Sequence, residues 1–376
     1  MSDDLVHWLR LDQVPGVGGE TARRLLGTFG LPENVFAAGF GALQKVVSER
    51  VARAITSPMS DETAALIART MEWAAQSGNH VLTLADAEYP RTLLDISDPP
   101  LILYVKGRIE LLSRTAIAVV GSRNATVQGM TNAERFSDAL SAAGLTVISG
   151  MALGIDTAAH LGGLHAIETN AAAGSTVAVI GTGADVVYPA RNRALAHRIA
   201  EHGCIVSEYA LGTPAIAANF PRRNRLISGL ARGVLVVEAA LQSGSLITAR
   251  MAAEQGRDVF AIPGSIHSPL SKGCHQLIKQ GAKLVEAAQD ILEELKYAPV
   301  AAQASPSTEV PEDEVPNADE ASQDSVLAAM GFDPVSPDAL AVRCKLDVQS
   351  VQAQLLVLEL EGAIELLPGG LYRRVD

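Results

Sequence analysis

The stretch AIAVVGSRNAT (116–126) joins a run of five apolar residues to a polar turn that begins with glycine. The same pattern recurs in LTVISGMALGID (145–156), TVAVIGTGADVVYP (176–189) and GVLVVEAALQSGSLITA (233–249). Short continuous apolar runs are typical of strands that are buried on both faces of a parallel sheet. Because the turns that follow parallel strands lie at one edge of the sheet, these four turns predict a shared ligand site at that edge.

Strands and helices alternate from residue 116 onward, which predicts an α/β core with a parallel sheet covered on both faces. The predicted strands are 116–121, 145–149, 176–180, 204–207, 233–238, 258–262 and 283–286. The predicted helices between them are about 128–143, 154–165, 191–202, 221–231, 245–256 and 272–280. Two further strands, within HVLTLAD (80–86) and LILYVKG (101–107), are predicted before this alternation begins.

The chain divides into four predicted segments. Residues 1–80 contain short helical patterns and predict an all-α domain of the SAM/helix-hairpin-helix-like type, carried by PGVGGETARRLLGTFG (15–30). Residues 81–297 contain the sheet. Residues 298–324 are rich in Pro, Ala, Ser and acidic residues, which predicts a disordered linker. Residues 325–376 predict three short helices and a glycine-turned hairpin, the arrangement of a winged helix.

Composition is that of an ordinary globular protein, with 48% apolar and 19% charged residues among 376. The chain has no run of eighteen apolar residues, and MSDDLVHWLR at its start lacks the apolar segment of a signal peptide. Its three cysteines (Cys204, Cys274 and Cys344) are far apart and do not have metal-ligand spacing. We therefore expect a cytoplasmic protein without a membrane span or a metal site.

The net charge of −12 is unevenly distributed along the chain. Residues 298–324 carry seven acidic residues and no basic one, whereas residues 81–297 carry nineteen of each. Since salt screens exposed charges beyond about 8–10 Å, affinity for an anionic ligand depends on the local field. The overall charge therefore does not exclude a nucleic-acid ligand.

The glycine-rich turns predict sites at which backbone amides bind anions. A basic helix, FPRRNRLISGLAR (220–232), lies between the third and fourth turns, and Arg222 and Arg225 share one of its faces. We expect a ligand that carries several phosphates. The predicted contacts are Gly121, Ser122, Arg123, Ser149, Gly150, Gly181, Gly183, Arg222, Arg223 and Arg225. The P-loop pattern and the dinucleotide fingerprint are both missing, so no nucleotide cofactor is expected.

Three side chains near the predicted edge invite a catalytic interpretation. Asp156 and His160 lie four residues apart on one helix face, as an acid–base or metal pair would. The alternative, which we favour, is that Asp156 complements the helix dipole while His160 is hydrogen-bonded locally. Glu238 ends an apolar strand and is either catalytic or bonded to the amides of the following Ser-Gly-Ser turn. We favour the structural role here as well, and expect no enzymatic activity.

The two flanking domains allow different roles. In the N-terminal helix-hairpin-helix, the glycine turn with Arg23 and Arg24 either holds a DNA phosphate or serves packing in a protein-interaction domain. The predicted recognition helix of the winged helix, DVQSVQAQLLVLELEG (347–362), contains no Lys or Arg and two glutamates. Since helices that read the major groove carry cations for the phosphates, protein contact or regulation is favoured for this domain.

The chain closely resembles the DprA/Smf family of DNA-processing proteins. The matching strings, which span about residues 85–296 in a fixed order, are VVGSRNAT, VISGMALGIDTAAH, GTGADVVYP, NFPRRNRLISGL, VVEAALQSGSLITARMAAEQGR, and IPGS followed by GCHQLIKQGA. The resemblance implies an extended Rossmann-like domain that binds single-stranded DNA, self-associates as a homodimer and recruits the recombinase RecA. It also implies protection of incoming DNA and loading of RecA during transformation.

The resemblance places the Gly121-Ser122-Arg123 turn at the DNA-phosphate site and adds Arg191 and Asn192 to the predicted contacts. The alternative function is that of phosphoribohydrolases of the same superfold, which cleave nucleoside monophosphates. Their signature is a P-G-G-x-G-T turn with a catalytic glutamate nearby. In this chain the corresponding region is QSGSLITA (242–249). The missing Pro-Gly-Gly signature disfavours the enzyme.

Overall fold

The structure is a computed structural model that describes residues 2–298, 323–331, 334–367 and 369–374. Its centre is a nine-stranded sheet with the strand order β1-β2-β6-β5-β4-β3-β7-β8-β9. The strands are β1 (Asn79–Thr83), β2 (Ile102–Gly107), β3 (Ala116–Val120), β4 (Thr146–Ser149), β5 (Thr176–Val179), β6 (Cys204–Ser207), β7 (Gly233–Val236), β8 (Asp258–Ala261) and β9 (Lys283–Leu284). Strands β3 to β9 are mutually parallel, whereas β1 and β2 are antiparallel to their neighbours. The predicted α/β fold with a parallel core is confirmed.

Helices cover both faces of this sheet, because the inner strands are apolar on both sides. Every residue of β3 is buried, and so is every residue of β4, β5, β6 and β7. The covering helices are α8 (Val127–Ala142), α9 (Ile155–Thr169), α10 (Arg193–His202), α11 (Asn219–Leu230), α12 (Gly244–Glu254), α13 (Lys272–Lys279) and α14 (Ala288–Glu294). A short helix, α7 (Arg91–Leu94), lies between β1 and β2. Burial on two faces explains why the strands have no polar alternation.

The N-terminal region is helical, as predicted. It consists of α1 (Ser2–Asp12), α2 (Gly19–Phe29), α3 (Pro32–Ala37), α4 (Phe40–Leu43), α5 (Glu49–Thr56) and α6 (Asp61–Ala74). These helices share an apolar core with β2, in which Trp8, Leu11 and Trp73 pack with Ile102 and Tyr104. The rings of Trp73 and Tyr104 meet edge to face with centroids 6.2 Å apart. The N-terminal helices are therefore seated directly on the antiparallel end of the sheet.

The C-terminal region is a winged helix, as predicted. Its elements are α15 (Gln323–Met330), α16 (Pro337–Cys344), α17 (Val348–Leu360), β10 (Ile364–Leu367) and β11 (Leu371–Arg374). Arg343 in α16 donates a 2.6 Å hydrogen bond to the side chain of Gln128 in α8, which joins this unit to the sheet domain. The predicted linker, 298–324, lies outside the described residues except at its two ends. Within the described part of the chain, no helix is long and apolar enough to cross a membrane.

Candidate functional site

Two adjoining cavities of about 550 and 500 Å³ lie at the carboxyl edge of the parallel strands. Both are lined by Arg123, Asn124, Ala152, Phe220, Pro221 and Arg223, so they form one continuous depression, which we call the edge groove. Its walls come from the start of α11 and from the four turns predicted from the sequence, at 120–124, 151–153, 180–181 and 240–245. The expectation that the four turns share one edge is therefore confirmed.

The Gly-Ser-Arg turn after β3 presents a free cation to the groove. A side chain at Gly121 would overlap Ile155 and the Glu238 carbonyl oxygen, so only glycine allows the chain to pass there. Ser122 accepts a 3.1 Å hydrogen bond from the Asn124 amide through its hydroxyl oxygen. Arg123 is exposed and makes no hydrogen bond or ion pair with any described residue. Its guanidinium is therefore free to bind an anionic ligand.

The turn after β4 is held from below by buried polar groups. The Ser149 hydroxyl donates to the Val119 carbonyl oxygen at 2.6 Å, and the Gly150 carbonyl oxygen is bonded to Nε2 of His160. The Nδ1 atom of His160 lies 2.7 Å from the hydroxyl of Thr176. Because both ring nitrogens are occupied and the ring is fully buried, His160 is bonded locally, as the favoured interpretation stated. Ser149 and Gly150 thus support the groove wall and do not line it.

Asp156 and Arg223 are buried charged side chains at the floor of the groove. Asp156 accepts a 3.2 Å hydrogen bond from the Ala152 amide, and the guanidinium of Arg223 donates to the Val179 carbonyl oxygen. Burial raises the pKa of Asp156, while the nearby charge of Arg223 acts in the opposite direction. Among the described residues that line the groove, Asp156 is the one acidic residue, and Arg123 and Arg223 are the cations. The lining therefore favours an anion.

The arginine run of α11 is divided between two faces of the helix, so the three arginines that were predicted as ligand contacts do not all reach the groove. Successive residues of a helix are rotated by about 100°, so Arg223 points into the groove while Arg222 and Arg225 point away from it. Arg225 donates to both carboxylate oxygens of Glu208, at 2.7 and 2.6 Å. Arg222 is exposed but does not line either cavity. Only one of the three predicted arginines therefore contributes to the lining.

The turn after β5 contributes Gly181 to the groove, but two predicted contacts in this region are used internally. The Gly183 amide donates to the Thr213 carbonyl oxygen at 2.9 Å. The buried Asn192 side chain donates to the Met151 carbonyl oxygen at 2.9 Å and to the Thr157 hydroxyl at 3.0 Å. These bonds shape the loops and leave neither donor free for a ligand. Arg191, beside Asn192, is exposed.

Glu238, after β7, has a structural partner that differs from the predicted one. Its two carboxylate oxygens accept the hydroxyl of Thr126 at 2.6 Å and the Thr126 amide at 2.9 Å. The Ser-Gly-Ser turn instead closes on itself, with the Ser243 and Ser245 hydroxyl oxygens 2.6 Å apart. Burial raises the pKa of Glu238, and the two bonds from Thr126 oppose this. The Glu238 carboxylate therefore anchors the start of α8 and does not bind the Ser-Gly-Ser turn that follows Glu238 in the sequence.

An aromatic pair at the groove was missed in the sequence analysis. The rings of Tyr188 and Phe220 lie with centroids 5.5 Å apart and are tilted by 43°. Both residues line the groove, and Tyr188 is 49% exposed. Flat aromatic faces of this kind stack with nucleic-acid bases. The only signal in the sequence was their position, each directly before a proline, at the end of a glycine-rich turn and at the start of the basic helix.

These features define a class of protein, a doubly wound α/β fold with an arginine-lined groove at the carboxyl edge of its parallel strands and a winged helix appended. Comparisons identify the family. The family model of DNA recombination-mediator protein A matches residues 80–296, and the DprA winged helix model matches residues 310–370. The chain therefore belongs to the DprA/Smf family of DNA-processing proteins.

Individual relatives agree with this assignment. Protein Smf of Escherichia coli (strain K12) is 42% identical over 308 residues, which cover 80% of this chain and 79% of the relative. The X-ray structure of DNA processing protein A (DprA) from Streptococcus pneumoniae matches with a TM-score of 0.65 and 37% identity, covering 78% of this chain and 98% of that chain. DNA processing protein A from Helicobacter pylori matches with a TM-score of 0.51 and 28% identity, covering 58% and 97%.

The buried His160 predicts a specific dependence of stability on pH. Burial lowers the pKa of His160 from 6.5 to about 4. Since the unfolded chain takes up this proton first, the stability contributed by neutral His160 is present above pH 6.5 and is lost as the pH falls toward 4. The unfolding free energy of the parent should therefore fall, relative to His160→Gln, by about 3 kcal/mol between pH 7 and pH 4. Urea unfolding of both proteins across this range measures the difference.

The matched control is His165→Gln, on the same helix. His165 is exposed, and its hydrogen bond with Asp138 raises its pKa, so this contribution is lost as the pH rises and has the opposite sign. A parent and a His160→Gln variant that lose stability in parallel between pH 7 and pH 4 would contradict the assignment of a neutral, buried imidazole.

Proposed function

We propose that this protein binds single-stranded DNA along the edge groove. The observation that carries the proposal is the free guanidinium of Arg123 at the centre of the groove, beside the buried charge of Arg223. Cations and backbone amides bind phosphates without regard to base sequence. The Helicobacter pylori relative has a single-stranded DNA binding mode, which supports the same ligand class for this chain.

The aromatic pair favours single strands over duplexes. The exposed face of Tyr188, in contact with Phe220, can stack on a base only when that base is not already paired within a helix. In duplex DNA the bases are covered by their neighbours, so only the phosphates would reach the groove. The groove therefore gains binding energy from a single strand that a duplex does not supply.

We further propose that the bound strand is protected in this way during DNA uptake and recombination, and that the protein loads the recombinase RecA on it. The proposal follows from family membership, in which the relatives are DNA-processing proteins and the family model is that of a DNA recombination mediator. We propose that the chain acts as a cytoplasmic homodimer, since two grooves hold one long strand more tightly than a single groove does.

We propose that the protein has no catalytic activity of its own. His160 is buried with both ring nitrogens bonded, and the Glu238 carboxylate is bonded to Thr126. Neither of these two side chains is therefore presented to the groove as a nucleophile or base. A hydrolase would need an activated group within reach of its substrate. This arrangement favours a binding protein over the phosphoribohydrolase alternative.

We expect the affinity for single-stranded DNA to be greater than for duplex DNA and to fall steeply with salt. Each phosphate that is neutralised on a single strand contributes about −0.7 to the slope of log K against log salt concentration. Fluorescence anisotropy of labelled oligonucleotides of several sequences at four salt concentrations measures this. Equal affinities for the two forms, or a slope near zero, would reject the proposed ligand.

Replacing Arg123 with alanine should weaken single-stranded DNA binding uniformly across oligonucleotide sequences and reduce the magnitude of the salt slope by about 0.7, because one phosphate contact is lost. The matched control is Arg232→Ala, since Arg232 is an exposed arginine at the start of β7, on the opposite edge of the sheet. If the folded Arg123→Ala variant binds as tightly as the parent and the Arg232→Ala control, Arg123 does not contact DNA.

Incubation with nucleoside monophosphates and Mg²⁺ tests the absence of catalysis. We expect no release of free base above the uncatalysed background, because Glu238 is engaged by two hydrogen bonds from Thr126. Chromatography of the reaction mixture detects the product directly. Release of base at several turnovers per minute that Glu238→Gln abolishes, with an unchanged circular dichroism spectrum, would establish a hydrolase instead.

A further inference from the structure

The face of α11 that points away from the groove is connected to the N-terminal helices by a chain of four charged residues. Arg23 in α2, Asp98 in the loop before β2, Arg225 in α11 and Glu208 after β6 are linked in that order by ion pairs. We call these four residues the Asp98 chain. The outer two are 75 and 110 positions from Asp98, so only the tertiary structure brings them together.

The inner end of the Asp98 chain is a buried bidentate pair. The side chains of Arg225 and Glu208 are only 12% and 6% exposed, and two parallel hydrogen bonds of 2.7 and 2.6 Å join them. Paired geometry of this kind fixes direction as well as distance. Burial is the largest single influence on the pKa of Arg225 and lowers it. The hydrogen bonds to Glu208 and the charges of Glu208 and Asp98 together outweigh burial and raise this pKa above its ordinary value. Arg225 is therefore held rigidly as a cation.

The outer end of the chain attaches the N-terminal helices. Arg23 Nη1 donates to Asp98 Oδ1 at 2.8 Å and to the Pro99 carbonyl oxygen at 3.1 Å. The Asp98 carbonyl oxygen in turn accepts a 3.1 Å hydrogen bond from Nε of Arg225. Partial burial acts to raise the pKa of Asp98, but the bond from Arg23 and the charge of Arg225 bring it below its ordinary value. Asp98 is thus a carboxylate shared by two arginines from different parts of the fold.

The half of α11 that lines the groove is attached mainly through polar side chains. The buried residues of α11 as a whole are Arg223 and the run from Leu226 to Leu230, so apolar packing secures the second half of the helix. The first half carries Phe220 and Arg223 into the groove. This half is held by Arg223, by the Asn219 side chain, which donates to the Gly181 carbonyl oxygen at 3.1 Å, and by the Tyr209 hydroxyl, which donates to the Asn219 carbonyl oxygen at 3.2 Å. Arg225 in the Asp98 chain holds the side of the helix that points away from the groove. A displacement of Arg225 within the Asp98 chain would therefore move this wall of the groove.

We propose that Arg23 and Asp98 are positioning residues through which the N-terminal helices set the affinity of the groove for single-stranded DNA. Neither residue lines the groove. They act by holding Arg225, and through it the first half of α11, so that Phe220 and Arg223 keep their places. This inference rests on the proposed function, and it assigns to the N-terminal helices a control over binding that requires no DNA contact of their own.

The test compares Arg23→Ala with Arg24→Ala in the full chain. Both substitutions remove one arginine from α2, but Arg24 is exposed and its side chain makes no hydrogen bond or ion pair with other described residues. Arg23→Ala should weaken single-stranded DNA binding about fivefold, the effect of losing a half-buried ion pair, and Arg24→Ala should leave it unchanged. The salt slope should be the same in Arg23→Ala and the parent, because no phosphate contact is removed.

Hydrogen exchange provides a second, independent readout. The amides of residues 222–225 should exchange faster in Arg23→Ala and in Asp98→Asn than in the parent, while those of β3 stay protected. Arg23→Lys, which keeps the positive charge and a donor nitrogen, should restore part of the lost affinity. Together these results would identify a positional effect on α11 and not a general loss of stability.

The outcomes separate this inference from the proposed function. If the parent does not bind single-stranded DNA at all, the proposed function is wrong and the inference falls with it. If the parent binds and Arg23→Ala binds equally well, only the inference is overturned. A salt slope smaller by about 0.7 in Arg23→Ala would overturn it too, since Arg23 would then be a direct phosphate contact. Equal weakening by Arg24→Ala would indicate a general charge effect and would also overturn it.

Discussion

The burial of parallel strands on both faces is the constraint on which the rest of the structure depends. Strands β3, β4, β5 and β7 can lie side by side in the interior only if each connection crosses the sheet through a helix, which brings every strand end to the same edge. The loops at that edge are the parts of the chain free to carry polar groups. The groove with Arg123 is thus a consequence of how the core is built.

The groove is supported by buried and half-buried polar groups behind it. His160, Ser149, Asn192 and Glu238 each bond a loop from the inside, and their hydrogen bonds are satisfied by backbone atoms or hydroxyl groups. A buried polar group is costly unless it is bonded, so these residues hold the loops in one arrangement. Residues that resemble catalytic groups in the sequence are thus engaged in hydrogen bonds that shape the loops of the edge groove.

Much of the fold could be predicted because its signals are local. The apolar run at 116–121 and the helical pattern at 128–143 agree with β3 and α8 to within a few residues, and the winged helix agrees in the same way. The short helical patterns of residues 1–80 are likewise present as helices, and two of them, α4 and α5, are separated by a turn after which Ser48 caps α5. Strand and helix periods depend on neighbouring residues, which a sequence displays directly.

The sequence by itself determined the order of strands and turns, the family and the position of Arg123 at a strand end. It could not determine which way each arginine of α11 points, nor that Tyr188 meets Phe220, nor that Glu238 binds Thr126 from 112 positions away. These features depend on the rotation of a helix against its sheet and on contacts between distant segments. Only the packed tertiary structure decides them, because one turn of a helix carries side chains to every side while packing selects the buried face.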